Sequence, residues 1–198
     1  MRFKRFVPPI LVVVLFAAAL SASAQVVPAY KAPGFPLTIG AGASNYDVDW
    51  GHGRMWGTTV WADYYPGFFT SHVRGLGVEL EGRDISIGRN LPTQKNIRQD
   101  TIEFGGIYSL HTFRNFHPYA KMLVGIGSYD FISGSPYYSH DTRALMAGAG
   151  GFDYHVWGSF WARADYEYQV WQQLLGNYPD PQGFTAGISY DFSHPGSR

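Results

Sequence analysis

The chain has 198 residues, enough for one domain, with a formal net charge of zero, 15% charged residues, 17% aromatic residues, 24 Gly and no Cys. The absence of cysteine excludes disulfides and thiolate metal sites. The balanced charge argues against a generic nucleic-acid binder, which carries a basic excess.

The first 24 residues read as a secretory signal peptide. Arg2, Lys4 and Arg5 give a basic start, "ILVVVLFAAAL" (10–20) a short apolar run, and "ASA" (22–24) a small-x-small cleavage pattern. The apolar run is too short for a membrane span of about 20 residues. Cleavage before Gln25 leaves 174 residues, with twelve Lys+Arg against fifteen Asp+Glu. Residues 25–34 are expected to form an N-terminal periplasmic segment, 35–192 the folded domain, and 193–198 a short C-terminal tail.

From residue 35 onward the sequence alternates with period 2. The pattern predicts eight strands, at 35–47, 54–65, 73–86, 98–111, 117–131, 141–155, 158–171 and 182–192. Along the first, Leu37, Ile39, Ala41 and Ala43 alternate with Thr38, Gly40, Gly42 and Ser44. In the second, Trp56, Val60, Ala62 and Tyr64 oppose Gly57, Thr59, Trp61 and Asp63. In the third, Leu76, Val78 and Leu80 oppose Gly77, Glu79, Glu81 and Arg83. In the fourth, Ile102, Phe104, Tyr108 and Leu110 oppose Glu103, Gly105, Ile107 and Ser109. In the fifth, Ala120, Met122, Val124 and Ile126 oppose Lys121, Leu123, Gly125 and Gly127. The sixth is Gly/Ala-rich and its phase is open. The seventh sets Phe160, Ala162, Ala164, Tyr166 and Tyr168 against Trp161, Arg163, Asp165 and Glu167. The last, "GFTAGISYDF" (183–192), alternates without exception.

Two observations decide which face points outward. The non-oily face is built of Gly, Ser and Thr with a few charges, which suits a narrow barrel interior better than a water-facing surface. Aromatics crowd the strand ends, at Tyr46, Trp50, Trp56, Tyr64, Phe68, Tyr129, Phe131, Trp157, Tyr168, Trp171, Tyr190 and Phe192. Tyr and Trp settle at the rims of a hydrocarbon layer. A soluble lipocalin-like barrel would have the opposite polarity. The expected fold is therefore all-β, an eight-stranded antiparallel up-and-down transmembrane barrel, because only a closed barrel leaves no unpaired edge in hydrocarbon. The connections agree: 87–97, 132–140 and 172–181 are long, whereas 112–116 and 157–158 at the opposite end are short; 66–72 is longer than a tight turn.

Three stretches resemble the small outer-membrane barrel family of the OmpA/OmpX/opacity type: "HPYAKMLVGIG" (117–127), "GLGVELEGRDI" (75–85) and the closing "GISYDF" (187–192). The likeness covers roughly 35–192. It implies a bacterial outer-membrane location, contact with outer-membrane lipid and lipopolysaccharide, and Gly187, Tyr190 and Phe192 as a signal for the barrel-assembly machinery.

Eight inward charges, Glu79, Glu81, Arg83, Glu103, Lys121, Arg163, Asp165 and Glu167, are expected to share the lumen as a paired, water-holding network. The alternative is a narrow gated pore in which Arg163 or Lys121 changes partners. No cofactor and no metal site is expected, because His52, His72, His111, His117, His140, His155 and His194 contain no ligand spacing. A third reading, a lipid A-modifying enzyme with a His/Ser/acid set at the rim, meets only Ser139, His140 and Asp141, and adjacent residues do not make a triad. His155, beside Trp157, reads as an interface residue. No catalytic residue is assigned. The outer loops "SGSPYYSHD" and "LLGNYPDPQG" offer exposed Tyr, Leu and Pro to a surface ligand. The expected role is structural or surface-interactive.

Overall fold

The computed structural model describes residues 36–48, 53–87, 96–110, 113–132, 139–173 and 178–193. The expected signal peptide, N-terminal segment and most of the C-terminal tail lie outside them, as do His52, His111 and His194 and the tips of the long loops. Eight strands follow in chain order: β1 (Leu37–Asp47), β2 (Arg54–Tyr64), β3 (Leu76–Ile87), β4 (Asn96–Ser109), β5 (Phe116–Ile132), β6 (Ser139–Trp157), β7 (Phe160–Trp171) and β8 (Gln182–Asp191). Each pairs antiparallel with its neighbours, and β8 returns to β1, with Ala41 opposite Ile188 and Ala43 opposite Ala186. No edge remains to seek an outside partner.

The alternation sets the two faces. Ile39, Val60, Leu80, Ile102, Phe104, Met122, Val124, Ile126, Met146, Val170 and Ile188 are exposed on the outer wall, Val124 at 55% and Ile188 at 62%. Such a belt of aliphatic side chains is stable only against acyl chains. Both described termini and the connections β2–β3, β4–β5 and β6–β7 lie at one end, which is the periplasmic end in barrels of this kind. Outward aromatics ring that end, among them Phe113, Phe116, Tyr154, Trp157, Phe160, Tyr190 and Phe192, with Trp56 and Tyr178 toward the other.

Three features depart from the sequence reading. The connection at 66–72 is long because it holds a short helix, α1 (Gly67–His72). The phase of the Gly/Ala-rich sixth strand is now fixed: Leu145 and Ala147 are buried inside and Met146, Phe152 and Tyr154 face outward. Finally, Tyr46, Tyr129 and Trp171 are not rim aromatics; they are 0%, 0% and 1% exposed, inside the barrel. Inward glycines make the room. A Cβ on Gly127 would collide with the Trp171 ring, and one on Gly40 with the Trp61 ring.

Candidate functional site

The lumen is layered along the barrel axis. Its extracellular part is apolar: Tyr46, Val48, Met55, Ile85, Ile97, Leu123, Tyr129, Leu145, Ala147 and Trp171 form one buried cluster. Polar bonds join it to the layer below. Trp171 Nε1 donates to Gln169 Oε1 (2.9 Å), Gln99 Nε2 donates to the same oxygen (3.0 Å), and Tyr129 Oη donates to Gln99 Oε1 (2.9 Å).

Below this lid all eight sequence-expected charges meet, each almost fully removed from solvent. Arg83 donates to Glu167 (2.8 Å) and to Glu81, approaches Glu103 at 3.6 Å, and lies over the Tyr46 ring at 4.2 Å. Lys121 donates to Glu79 (2.6 Å) and to Glu81, with Asp165 at 3.7 Å and Glu167 at 3.8 Å. Arg163 donates to Asp63 (2.5 Å), Glu79 (3.0 Å) and Asp153 (2.8 Å), between the rings of Trp61 and Tyr119. Tyr119 Oη donates to Asp165 (2.7 Å), and Gln169 Nε2 to Glu103 and Glu167 (both 2.9 Å).

Sequence reasoning missed Asp63 and Asp153 as members. Asp63 stood on the inner face without being counted, and Asp153 was hidden by the open phase of its strand. With them, seven carboxylates surround three cations among the described residues. Consistent with that excess, Asp63 Oδ1, Glu103 Oε2, Asp165 Oδ1 and Glu167 Oε2 accept no hydrogen bond from the protein. Glu81, Glu103 and Glu167 bring ligand oxygens within 4.8 Å of one another, but Arg83 already supplies their counter-charge.

At the periplasmic mouth a cavity of about 60 Å³ is bordered by Asp63, His117, Asp153, Trp161, Ser189 and Asp191. His117 and His155 both pack on Trp161, with ring centroids at 4.6 and 4.8 Å. His155 therefore belongs to the inner mouth, in phase with Asp153, and is not a lipid-interface residue. Of the residues expected from the resemblance to signal assembly, Tyr190 and Phe192 face outward and meet edge to face with ring centroids at 4.7 Å, while Gly187 lies against the Ala41 carbonyl, where a Cβ would collide. His140 stands at the outer rim. It is hydrogen-bonded to Asp130, on the neighbouring strand, and to Thr142.

A closed antiparallel wall with an aliphatic outer belt, aromatic rims and a charged interior defines an integral membrane β-barrel. The chain belongs to the outer membrane protein beta-barrel domain family, whose model matches residues 12–192, and its location is the bacterial outer membrane. Solved structures agree in fold. Neisserial surface protein A superposes with a TM-score of 0.59 at 15% identity, over 79% of this chain and 96% of that one. OprG from Pseudomonas aeruginosa gives 0.57 at 17%, over 81% and 97%. Ail, the attachment invasion locus protein of Yersinia pestis, gives 0.54 at 17%, over 79% and 97%, and has also been solved in complex with the heparin analogue sucrose octasulfate. No curated protein matches the sequence.

Proposed function

We propose that this barrel is a sealed, rigid stand that presents its outer hairpins to a surface ligand, and that the lumen charges are structural. The observation that carries this reading is the apolar cluster from Tyr46 to Trp171, which fills the extracellular half of the lumen. An ion crossing there would shed its water without compensating ligands, so the pore alternative loses support. The charge network then serves as an internal clamp. Arg83 on β3 holds Glu167 on β7, and Arg163 on β7 holds Asp63 on β2, tying opposite walls together.

The ligand-binding part of the proposal rests on strand length. β5 and β6 run for 17 and 19 residues, against 10 to 12 in β1–β3, β7 and β8. At about 3.3 Å per residue, β6 far exceeds what a band about 25 Å tall requires. Its outer end, with that of β5, stands clear of the membrane. The rim cations among the described residues are engaged: Arg98 with Asp84 (3.1 Å) and Asp100 (3.0 Å), Arg143 with Asp141 (3.1 Å), and Arg54 with Asn45. A sulfated glycan of the kind seen with Ail would compete with those carboxylates, which favours a protein partner for this chain.

Two measurements test the reading. Planar-bilayer recordings on the refolded protein are expected to stay silent; reproducible unitary conductance would overturn the sealed lumen. The protein in nanodiscs is expected to bind immobilised matrix proteins, to lose that binding when residues 133–138 are deleted, and to leave heparin unbound at physiological salt. Binding to heparin alone, or binding indifferent to the deletion, would refute the assignment to this hairpin.

A further inference from the structure

The periplasmic end has a corner that neither the lumen nor the outer hairpins use. Gly75 O accepts the Ser109 N–H (2.8 Å), so the β2–β3 connection, which contains α1, closes against the end of β4. The β4–β5 hairpin continues past that level. Leu110 N–H donates to Pro118 O (2.8 Å), and Phe113 and Phe116 exchange two backbone bonds (2.9 Å each) around Arg114 and Asn115. The two connections are therefore neighbours, and each brings one arginine. Arg74 precedes Gly75, and Arg114 stands five residues beyond Ser109, at most about 17 Å along the hairpin.

Both arginines are exposed. Among the described residues neither makes a hydrogen bond or an ion pair, whereas Arg54, Arg98 and Arg143 at the opposite rim all have acceptors. The carboxylates of the periplasmic end, Asp63, Asp153 and Asp191, border the mouth of the lumen instead. Among the described residues no exposed carboxylate stands beside Arg74 or Arg114. The outer surface of this corner is therefore cationic. It is also apolar: Phe68 is 73% exposed and Phe113 64%, with Val73 exposed next to Arg74. Phe68 packs only along its own short helix, on Phe69 and His72, with centroids at 5.8 and 5.2 Å. Rings left open beside unpaired cations suit the level where acyl chains meet phosphates. On this side of an outer membrane that level belongs to phospholipid.

We infer that Phe68, Val73, Arg74, Phe113 and Arg114 form a docking site for anionic phospholipid of the periplasmic leaflet. The charge of the corner selects the partner. A guanidinium meets a phosphodiester through two parallel N–H bonds, and the rings lie among the first carbons of the acyl chains. Phosphatidylglycerol brings a net negative charge to the arginines. Phosphatidylethanolamine brings an ammonium beside its own phosphate and gains less. The site lies at the opposite end of the barrel from the proposed ligand-binding hairpins and is independent of them.

The test uses the refolded full chain in detergent micelles doped with equal amounts of phosphatidylglycerol and phosphatidylethanolamine, with lipid A in a separate arm. Lipids retained on the protein are counted by native mass spectrometry. Phosphatidylglycerol is expected to be retained in preference. Arg74→Gln and Arg114→Gln should each lower that preference about fivefold, and the double variant should retain the two phospholipids alike. Phe68→Ser should lower retention of both, and Arg98→Gln, at the outer rim, should change nothing. All of these side chains are exposed, so heat-modifiable gel migration is expected to persist and checks folding. Equal retention of the two phospholipids by the wild type would overturn the inference. So would a preference that survives in the double variant, retention indifferent to Phe68→Ser, an equal loss in Arg98→Gln, or retention of lipid A in place of phospholipid.

Discussion

The excess of carboxylates over cations in the lumen makes an asymmetric prediction. Consider Arg83→Met and Glu103→Gln, two near-isosteric neutralisations that touch the same cluster. Arg83 is the counter-charge for Glu81, Glu103 and Glu167, all buried and within 3.6 Å of its guanidinium nitrogens. Its removal leaves Glu103 without a cation and leaves Glu81 and Glu167 with Lys121 alone, and breaking a buried pair from one side destabilises by about 3–5 kcal/mol. Glu103 is the weakest of the three partners, at 3.6 Å, and its Oε2 accepts nothing from the protein. Gln169 Nε2 donates to the other oxygen, an acceptor that a side-chain amide in place of the carboxylate retains. Glu103→Gln should therefore change stability by no more than about 1 kcal/mol in either direction. Equilibrium urea unfolding in detergent micelles, followed by tryptophan fluorescence and by gel migration, resolves this difference. Equal losses in the two variants, or a larger loss for Glu103→Gln, would refute the charge count on which the prediction rests.

Val124→Lys, near the middle of the outer belt, is expected to cost about 2–4 kcal/mol in lipid vesicles, whereas Thr58→Lys, also outward but toward the extracellular end, should cost distinctly less; the same urea titration reads both. Gly127→Val forces a side chain into the Trp171 ring and should cost about 1–3 kcal/mol, with most of the loss recovered in Gly127→Val/Trp171→Ala. Lipids brominated along their acyl chains should leave the fluorescence of a variant retaining only Trp171 unquenched, since that indole is 1% exposed inside the barrel, and strong quenching would place it on the wall. Arg114, in the β4–β5 turn, has φ 55°, a left-handed backbone that costs a non-glycine residue about 1 kcal/mol; Arg114→Gly should stabilise the barrel by up to that amount, as a higher urea midpoint.

Strand number, order and facing were legible because period-2 alternation is a direct consequence of the pleat. The interior was less so. Trp171 stands in phase with Arg163, Asp165, Glu167 and Gln169, and Tyr46 with Gly40, Gly42 and Ser44. Alternation carried to the last residue turns both inward, whereas the preference of aromatics for membrane rims pulls a sequence reading the other way; in the folded chain the phase wins. The Gly/Ala run of β6 has little contrast between its faces, so its phase comes only from pairing with β5 and β7. The meeting of Asp130 with His140 likewise depends on cross-strand register, which a linear reading of Ser139, His140 and Asp141 does not contain. The helix α1 was invisible because six residues with a Pro before them carry no helical period.

The vertical order of the lumen gives it a direction. An opening between His117 and Asp191 faces the cell, while the end toward the medium is stoppered by tryptophan, tyrosine and aliphatic side chains. If the lumen is sealed as proposed, protons and solutes exchange with the internal ion pairs from the periplasm. A bacterium moving between acid and alkaline, or salty and dilute, surroundings would alter the outer hairpins at once, yet the clamp that keeps the staves together would register the change only after the periplasm itself had followed.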